Sequence, residues 1–191
     1  MTQQRRRLSV EQRQEEILAA ATDIFSTTPY VEVSTQDIAD ACDVSQGLLF
    51  HYFESKAGLY TAFLKAHTQP LFDDHLDPNT DTPEALHSTL ERYLNHVAEH
   101  PFVWLAGRRG GAEPTEAINL RIEMRDASVE TLCTLLGRHD EHAARAASGT
   151  LGFLDAICID WVDEGCPATE RDDIIDTAIG ALTGALATTR K

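Results

Sequence analysis

The sequence predicts an all-α fold in two parts, and three observations carry that prediction. Apolar residues recur at helical spacing along almost the whole chain of 191 residues. No stretch alternates convincingly as a strand. Capping residues followed by apolar runs stand at Ser34, Ser45, Ser55 and Thr82, where they mark helix starts. The expected boundary divides a small unit at residues 1–66 from a larger helical domain at residues 67–191.

The first helix is expected over residues 10–26, with Ile17, Ala20, Ala21, Ile24 and Phe25 on one face and Pro29 beyond its end. Ser34 caps a second helix, its hydroxyl expected to accept the backbone N–H near Asp37. Ser45 caps a third, and Ser55 a fourth running over residues 56–67. Residues 70–83 form a polar connector that ends at Thr82-Pro83, a cap followed by a proline whose missing N–H costs nothing there. The next helix carries Leu86, Leu90, Tyr93, Leu94 and Val97 as a stripe, and Pro101 is expected to close it. A short helix at 102–108 then ends at Gly110-Gly111. Three longer helices follow, at 115–136, 141–164 and 169–188.

Composition narrows the classes of function. Hydrophobic residues make up 42% of the chain, as in an ordinary globular protein, and the apolar run at 178–187 is far short of the roughly 20 residues a membrane span needs. No apolar segment follows the arginines near the start, so no signal peptide is expected and the cytoplasm is the expected location. Cys42, Cys133, Cys158 and Cys166 lack C-x-x-C spacing, which favours free thiols in a reducing compartment. The net charge is -15 and unevenly spread: residues 1–66 hold six Arg/Lys against nine Asp/Glu, and the rest hold ten against twenty-two. A phosphate backbone repels such a chain unless positive groups are concentrated at the contact. No nucleophile elbow, phosphate loop or paired carboxylates stand out, so an enzyme is not expected.

The second and third helices read as a helix-turn-helix, making residues 1–66 a three-helix DNA-binding unit with a fourth helix appended. Leu49 and Phe53, four apart, share the anchoring face of the short third helix. Gln46, Gly47, Leu48 and Phe50 then project toward a major groove. Gln46 is suited to hydrogen-bond base edges, Leu48 to touch a thymine methyl, and Gly47 to permit close approach. His51, Tyr52 and Lys56 are donors suited to phosphate, Lys56 beside the start of the fourth helix. Ser34, Gln36 and Ser45, at the helix starts, complete the expected DNA-contacting set.

The run Val44-Ser45, Gly47, His51-Tyr52-Phe53 and Ser55-Lys56 closely resembles the DNA-binding domain of TetR-type (TetR/AcrR) transcriptional regulators over residues 11–66. The resemblance implies a C-terminal helical ligand-binding and dimerisation domain, a homodimer, double-stranded DNA with a two-fold operator as partner, and a small-molecule effector. It implies no cofactor. Four residues depart from the pattern: Pro29 and Asp43 stand where glycine is usual, Leu48 where Thr is frequent, and Phe50 where Tyr is frequent. Asp tolerates a left-handed backbone better than most residues, so the turn at Asp43 survives. Arg5-Arg6-Arg7 reads either as an arm for the minor groove or as a plain basic terminus.

The larger domain is less legible. Ala178, Gly180, Ala181, Gly184, Ala185 and Ala187 give the last helix a small-residue surface suited to close helix approach. The helix at 141–164 is apolar around much of its girth, with Leu151, Leu154 and Cys158 on one side and Phe153, Ile157 and Trp161 toward another. Its second side is expected to meet either a partner subunit or more of its own chain. An effector pocket is expected among Phe102, Trp104, Arg121, Arg125, Phe153, Ile157 and Trp161. Arg125 falls within the stripe of Ile118, Ile122, Val129, Leu132 and Leu136, so it either pairs with Asp155 or anchors an acidic ligand. His96/His100 and His139/His142 have metal-compatible spacing, but no third ligand is evident and no metal site is predicted. A repressor released by its effector is the leading expectation. An activator and a metal-responsive regulator are the alternatives.

Overall fold

The structure, a computed structural model, describes residues 9–69, 82–106, 108 and 113–188. The Arg5-Arg6-Arg7 arm, most of the connector at 70–81 and Gly110-Gly111 lie outside the described residues. Among those described there are nine α-helices and no strand: α1 (Val10–Phe25), α2 (Thr35–Ala41), α3 (Gln46–Phe53), α4 (Lys56–Thr68), α5 (Thr82–Glu99), α6 (Pro101–Ala106), α7 (Thr115–Leu135), α8 (Glu141–Asp163) and α9 (Arg171–Ala187). None of them is long and apolar enough to cross a membrane. The chain divides into two compact units, one taking Met1–Thr68 with Phe102–Ile118, the other Gln69–Pro101 with Asn119–Lys191.

In the first unit, local chemistry sets each helix start. Ser9 and Gln12 form a reciprocal capping box at the start of α1, Ser9 Oγ accepting the Gln12 N–H at 3.2 Å and Gln12 Oε1 the Ser9 N–H at 3.1 Å. Ser34 Oγ accepts from the Gln36 N–H at 3.1 Å, one residue earlier than the expected partner near Asp37. Ser45 Oγ accepts from Leu48 and Ser55 Oγ from Gly58, each at the third residue onward. Asp43, in the turn between α2 and α3, takes φ 51°, so the left-handed position usually given to glycine is filled by Asp as anticipated. Ile17, Ala21 and Phe25 of α1 are buried at successive turns, with Ile38, Leu49, Leu59, Tyr60 and Phe63 closing the core. Its centre is aromatic: the Phe25 ring lies 4.9 Å from Tyr60, edge-on, and 5.5 Å from Phe63. Also within this unit, the Tyr60 hydroxyl donates to Glu113 at 2.6 Å.

In the second unit, α8 packs on α9, and α5 packs on both. From α5, Ala85, Leu86, Leu90, Leu94 and Val97 are buried, while the expected stripe member Tyr93 is half-buried and donates its hydroxyl to Asp155 at 2.8 Å. Pro101 does not simply close α5; it opens α6, because a first helical residue needs no N–H partner. Asp140 caps α8 by accepting from the Ala143 N–H at 3.0 Å. The buried side of α8 is built of small residues at one end, Ala143, Ala146, Ala147 and Thr150, and larger ones at the other, Leu154, Cys158 and Trp161. A 3-10 turn at Ala168–Glu170 precedes α9, so that helix starts two residues later than expected.

Candidate DNA interface

The geometry of α3 follows from its anchor. Leu49 is fully buried and Phe53 half-buried, which turns Gly47, Phe50 and His51 outward. Phe50 keeps 37% of its surface exposed, a large value for an aromatic ring. Leu48 and Tyr52 are half-buried on one flank of this face, and the His51 ring sits edge-on to Tyr52 at 5.4 Å. Ser34, Gln36 and Ser45 are exposed at the starts of α2 and α3, where N–H groups lack helical partners. Gln36 also donates to Asp40 at 2.7 Å.

Two members of the expected set are engaged within the fold. The Gln46 amide donates to Thr35 Oγ1 at 3.2 Å, bridging the first residues of α2 and α3. The Lys56 ammonium lies 4.3 Å from the centre of the Tyr30 ring. Burial there pulls the Lys56 pKa below its ordinary value. Tyr30, in turn, is pushed above its ordinary value, first by burial and then by the Glu116 carboxylate. Sequence reasoning missed Tyr30 and Thr35, since their partners lie far along the chain.

It also missed Gly58. A Cβ at that position would stand 2.2 Å from the Phe53 carbonyl oxygen, so no other residue fits the corner between α3 and α4. Glu54 makes the same corner with φ 62° and ψ -44°, and the Ser55 N–H reaches the Phe53 oxygen at 2.6 Å. This is a γ-turn with positive φ, a rare and strained form.

The residues expected to meet an effector divide between the units: Phe102 and Trp104 in the first, Arg121, Arg125, Phe153, Ile157 and Trp161 in the second. Trp104 is buried under the Arg108 guanidinium, 3.9 Å from its ring, whereas Phe102 is 61% exposed. Trp161 is buried and its indole N–H donates to the Pro167 carbonyl at 3.1 Å. Phe153 is exposed, and Arg121 and Ile157 are half-buried.

Arg125 corrects the sequence reading. It does not sit in a buried stripe, because Ile118 and Ile122 are exposed and the buried residues of α7 are Ala117, Leu132 and Cys133. Its guanidinium donates to the Ser148 carbonyl at 2.7 Å and stands 3.8 Å from Asp155, both groups partly exposed. The pairing with Asp155 is present as a loose surface contact rather than a buried bridge. Among the described residues, no group of three or more His, Cys, Asp or Glu is placed to hold a metal ion.

A short capped helix anchored by one apolar face, with a preceding helix across a tight turn, defines a helix-turn-helix DNA-binding protein. Residues 17–63 match the family described as bacterial regulatory proteins, tetR family. The HTH-type transcriptional activator FasR of Mycolicibacterium smegmatis is 25% identical, over 94% of this chain and 85% of its own. A TetR-like transcriptional regulator from a Rhodococcus species superposes with a TM-score of 0.75 at 25% identity, covering 96% of this chain and all of that one. A tetR-family regulator from Streptomyces coelicolor shares the fold with a TM-score of 0.79 at 24% identity, covering 94% of this chain and 84% of that one. These likenesses support a tetR-family transcriptional regulator rather than an enzyme.

Proposed function

We propose that this regulator is a homodimeric repressor that binds a palindromic operator and is released by a small-molecule effector. Residues 1–66 serve as the DNA-binding domain and residues 67–191 as the effector-binding and dimerisation domain. The observation that carries the DNA half is the outward face of α3, anchored by a buried Leu49 and bordered by the exposed caps Ser34 and Ser45. In a two-fold dimer, two such faces meet successive major grooves about 34–36 Å apart.

Dimerisation draws support from α8 and α9. Gly149, Gly180 and Gly184 are exposed, and a Cβ at each would meet nothing within 4 Å; Phe153, Ile159 and Ala187 of the same two helices are exposed as well. Each exposed helical glycine costs about 1 kcal/mol relative to alanine, so a run of them calls for a reason outside the protomer. A second copy of the chain supplies one, since small residues let helices approach closely. Ala178 does not contribute, because it is fully buried in its own unit.

For the effector, an acidic small molecule that takes the place of Asp155 at Arg125 fits the loose pairing of those two groups. Affinity for such an acid unchanged by Arg125→Ala would end that role. A second reading, activation of transcription, is favoured by the relative FasR being named an activator. Footprinting on duplexes enriched from a random pool tests the whole proposal, with transcription from the enriched site measured with and without protein. A protected two-fold site and lowered transcription are expected. Raised transcription would select the activator reading, and protection of one half-site by a monomer would remove the dimer. Tyr52→Phe and Lys56→Ala should weaken binding to all sequences alike, by contact or by loss of support for the α3–α4 corner.

A further inference from the structure

At 100° per residue, the exposed face of α3 opposite Leu49 and Phe53 has three rows. Gly47 and His51 form its centre, Gln46 and Phe50 one flank, Leu48 and Tyr52 the other. The first turn of a recognition helix normally supplies the base contacts. Here Gln46 spends one amide N–H on Thr35, which holds its side chain toward α2, Gly47 has no side chain, and Leu48 has no hydrogen-bonding group. One turn along, Phe50 holds an exposed ring without a hydroxyl. His51 and Tyr52 pack ring to ring further from the helix start. Both flanks of this face therefore present hydrocarbon early in the helix, Leu48 on one and Phe50 on the other.

The major groove presents one hydrocarbon feature to such a surface, the 5-methyl group of thymine. We propose that α3 discriminates operators through thymine methyls, Leu48 and Phe50 each contacting one, while Gln46 acts as a positioning residue that braces α3 against α2. Leu48 and Phe50 stand about 160° apart around the helix axis, so they meet different base pairs of the half-site. This deepens the DNA-binding reading above and rests on it.

The test replaces each thymine of an enriched operator by deoxyuridine, which keeps every Watson–Crick hydrogen bond and removes only the methyl. Affinity is read by fluorescence anisotropy at one fixed salt concentration. One or two positions per half-site should lose about fourfold in affinity, the equivalent of one buried methyl. Phe50→Ala should abolish the response at one position and Leu48→Ala at another, with the unfolding midpoint showing that each variant is folded. Gln46→Ala should weaken enriched and scrambled duplexes by the same factor. Uracil silent at every position, a half-site without thymine, or an undiminished response in the Leu48→Ala, Phe50→Ala double variant overturns the proposal. A response that arises only when cytosines are methylated overturns thymine as the source of the methyl. If no duplex is enriched at all, the DNA-binding reading falls with it, and that failure is distinct from the others.

Discussion

Gly58 and Gly184 make the same chemical choice for opposite reasons. At Gly58 a Cβ would meet the Phe53 carbonyl oxygen at 2.2 Å, so the α3–α4 corner closes only because the side chain is absent. At Gly184, as at Gly149 and Gly180, a Cβ would meet nothing within 4 Å. The contrast extends to their surroundings. Gly58 belongs to a unit whose centre is four aromatic rings, Phe25, Tyr30, Tyr60 and Phe63, each within 6.4 Å of another. Gly184 belongs to a pair of helices whose shared core holds Ala143, Ala146, Ala147 and Leu182. A reading head must hold its recognition helix in one pose, and large interlocked rings do that. On α8 and α9 the exposed glycines leave room for an approach from outside.

The largest expected effect comes from filling the closed glycine. Gly58→Ala should destabilise the first unit by about 3 kcal/mol, because the clash is with backbone that cannot rotate away. Thermal unfolding measures this, and an unchanged midpoint would remove Gly58 from the account of the corner. Next, Gly184→Arg should leave the protomer folded but convert dimer to monomer in solution. Operator affinity should then fall about 100-fold, as the second half-site no longer binds in tandem. A variant that remains dimeric would show that the open glycines serve something other than self-association.

Glu54→Gly should stabilise the fold by about 1 kcal/mol, since glycine adopts positive φ without the strain Glu54 bears. Chemical denaturation gives the sign, and a loss of stability would mean the Glu54 side chain outweighs its backbone. The smallest effect is a pH dependence in the second unit. The Arg138 side chain first, and the Ala143 N–H second, hold the Asp140 carboxyl below its ordinary value. Its folded pKa is thus lower than its unfolded one, so its contribution is complete above the unfolded pKa and fades as pH falls through the folded pKa. Asp140→Asn keeps the helix cap but should flatten that acid limb, and an unaltered acid limb would assign it to other carboxylates.

Much of the architecture was legible from residue order because it rests on contacts a few residues apart. Ser45 and Ser55 cap α3 and α4 as their spacing suggests, and Asp43 takes the left-handed turn. The α5 stripe Leu86, Leu90, Leu94 and Val97 is buried as its period implies. The candidate site was less legible. Thr35 and Gln46 are eleven residues apart, and Tyr30 and Lys56 twenty-six apart, and no local pattern announces either contact. Arg125 misled because Ile118 and Ile122, which make its stripe look like a core face, are exposed.

By itself, then, the sequence determined the helices, their caps and the helix-turn-helix, because period, capping chemistry and turn residues act over a single turn of chain. Tertiary structure alone decided which of the groove residues are already spoken for, which glycine is closed and which are open, and that Arg125 lies at the surface. Those outcomes depend on which face of an apolar helix another helix covers, and a periodic pattern names the faces without naming their neighbours.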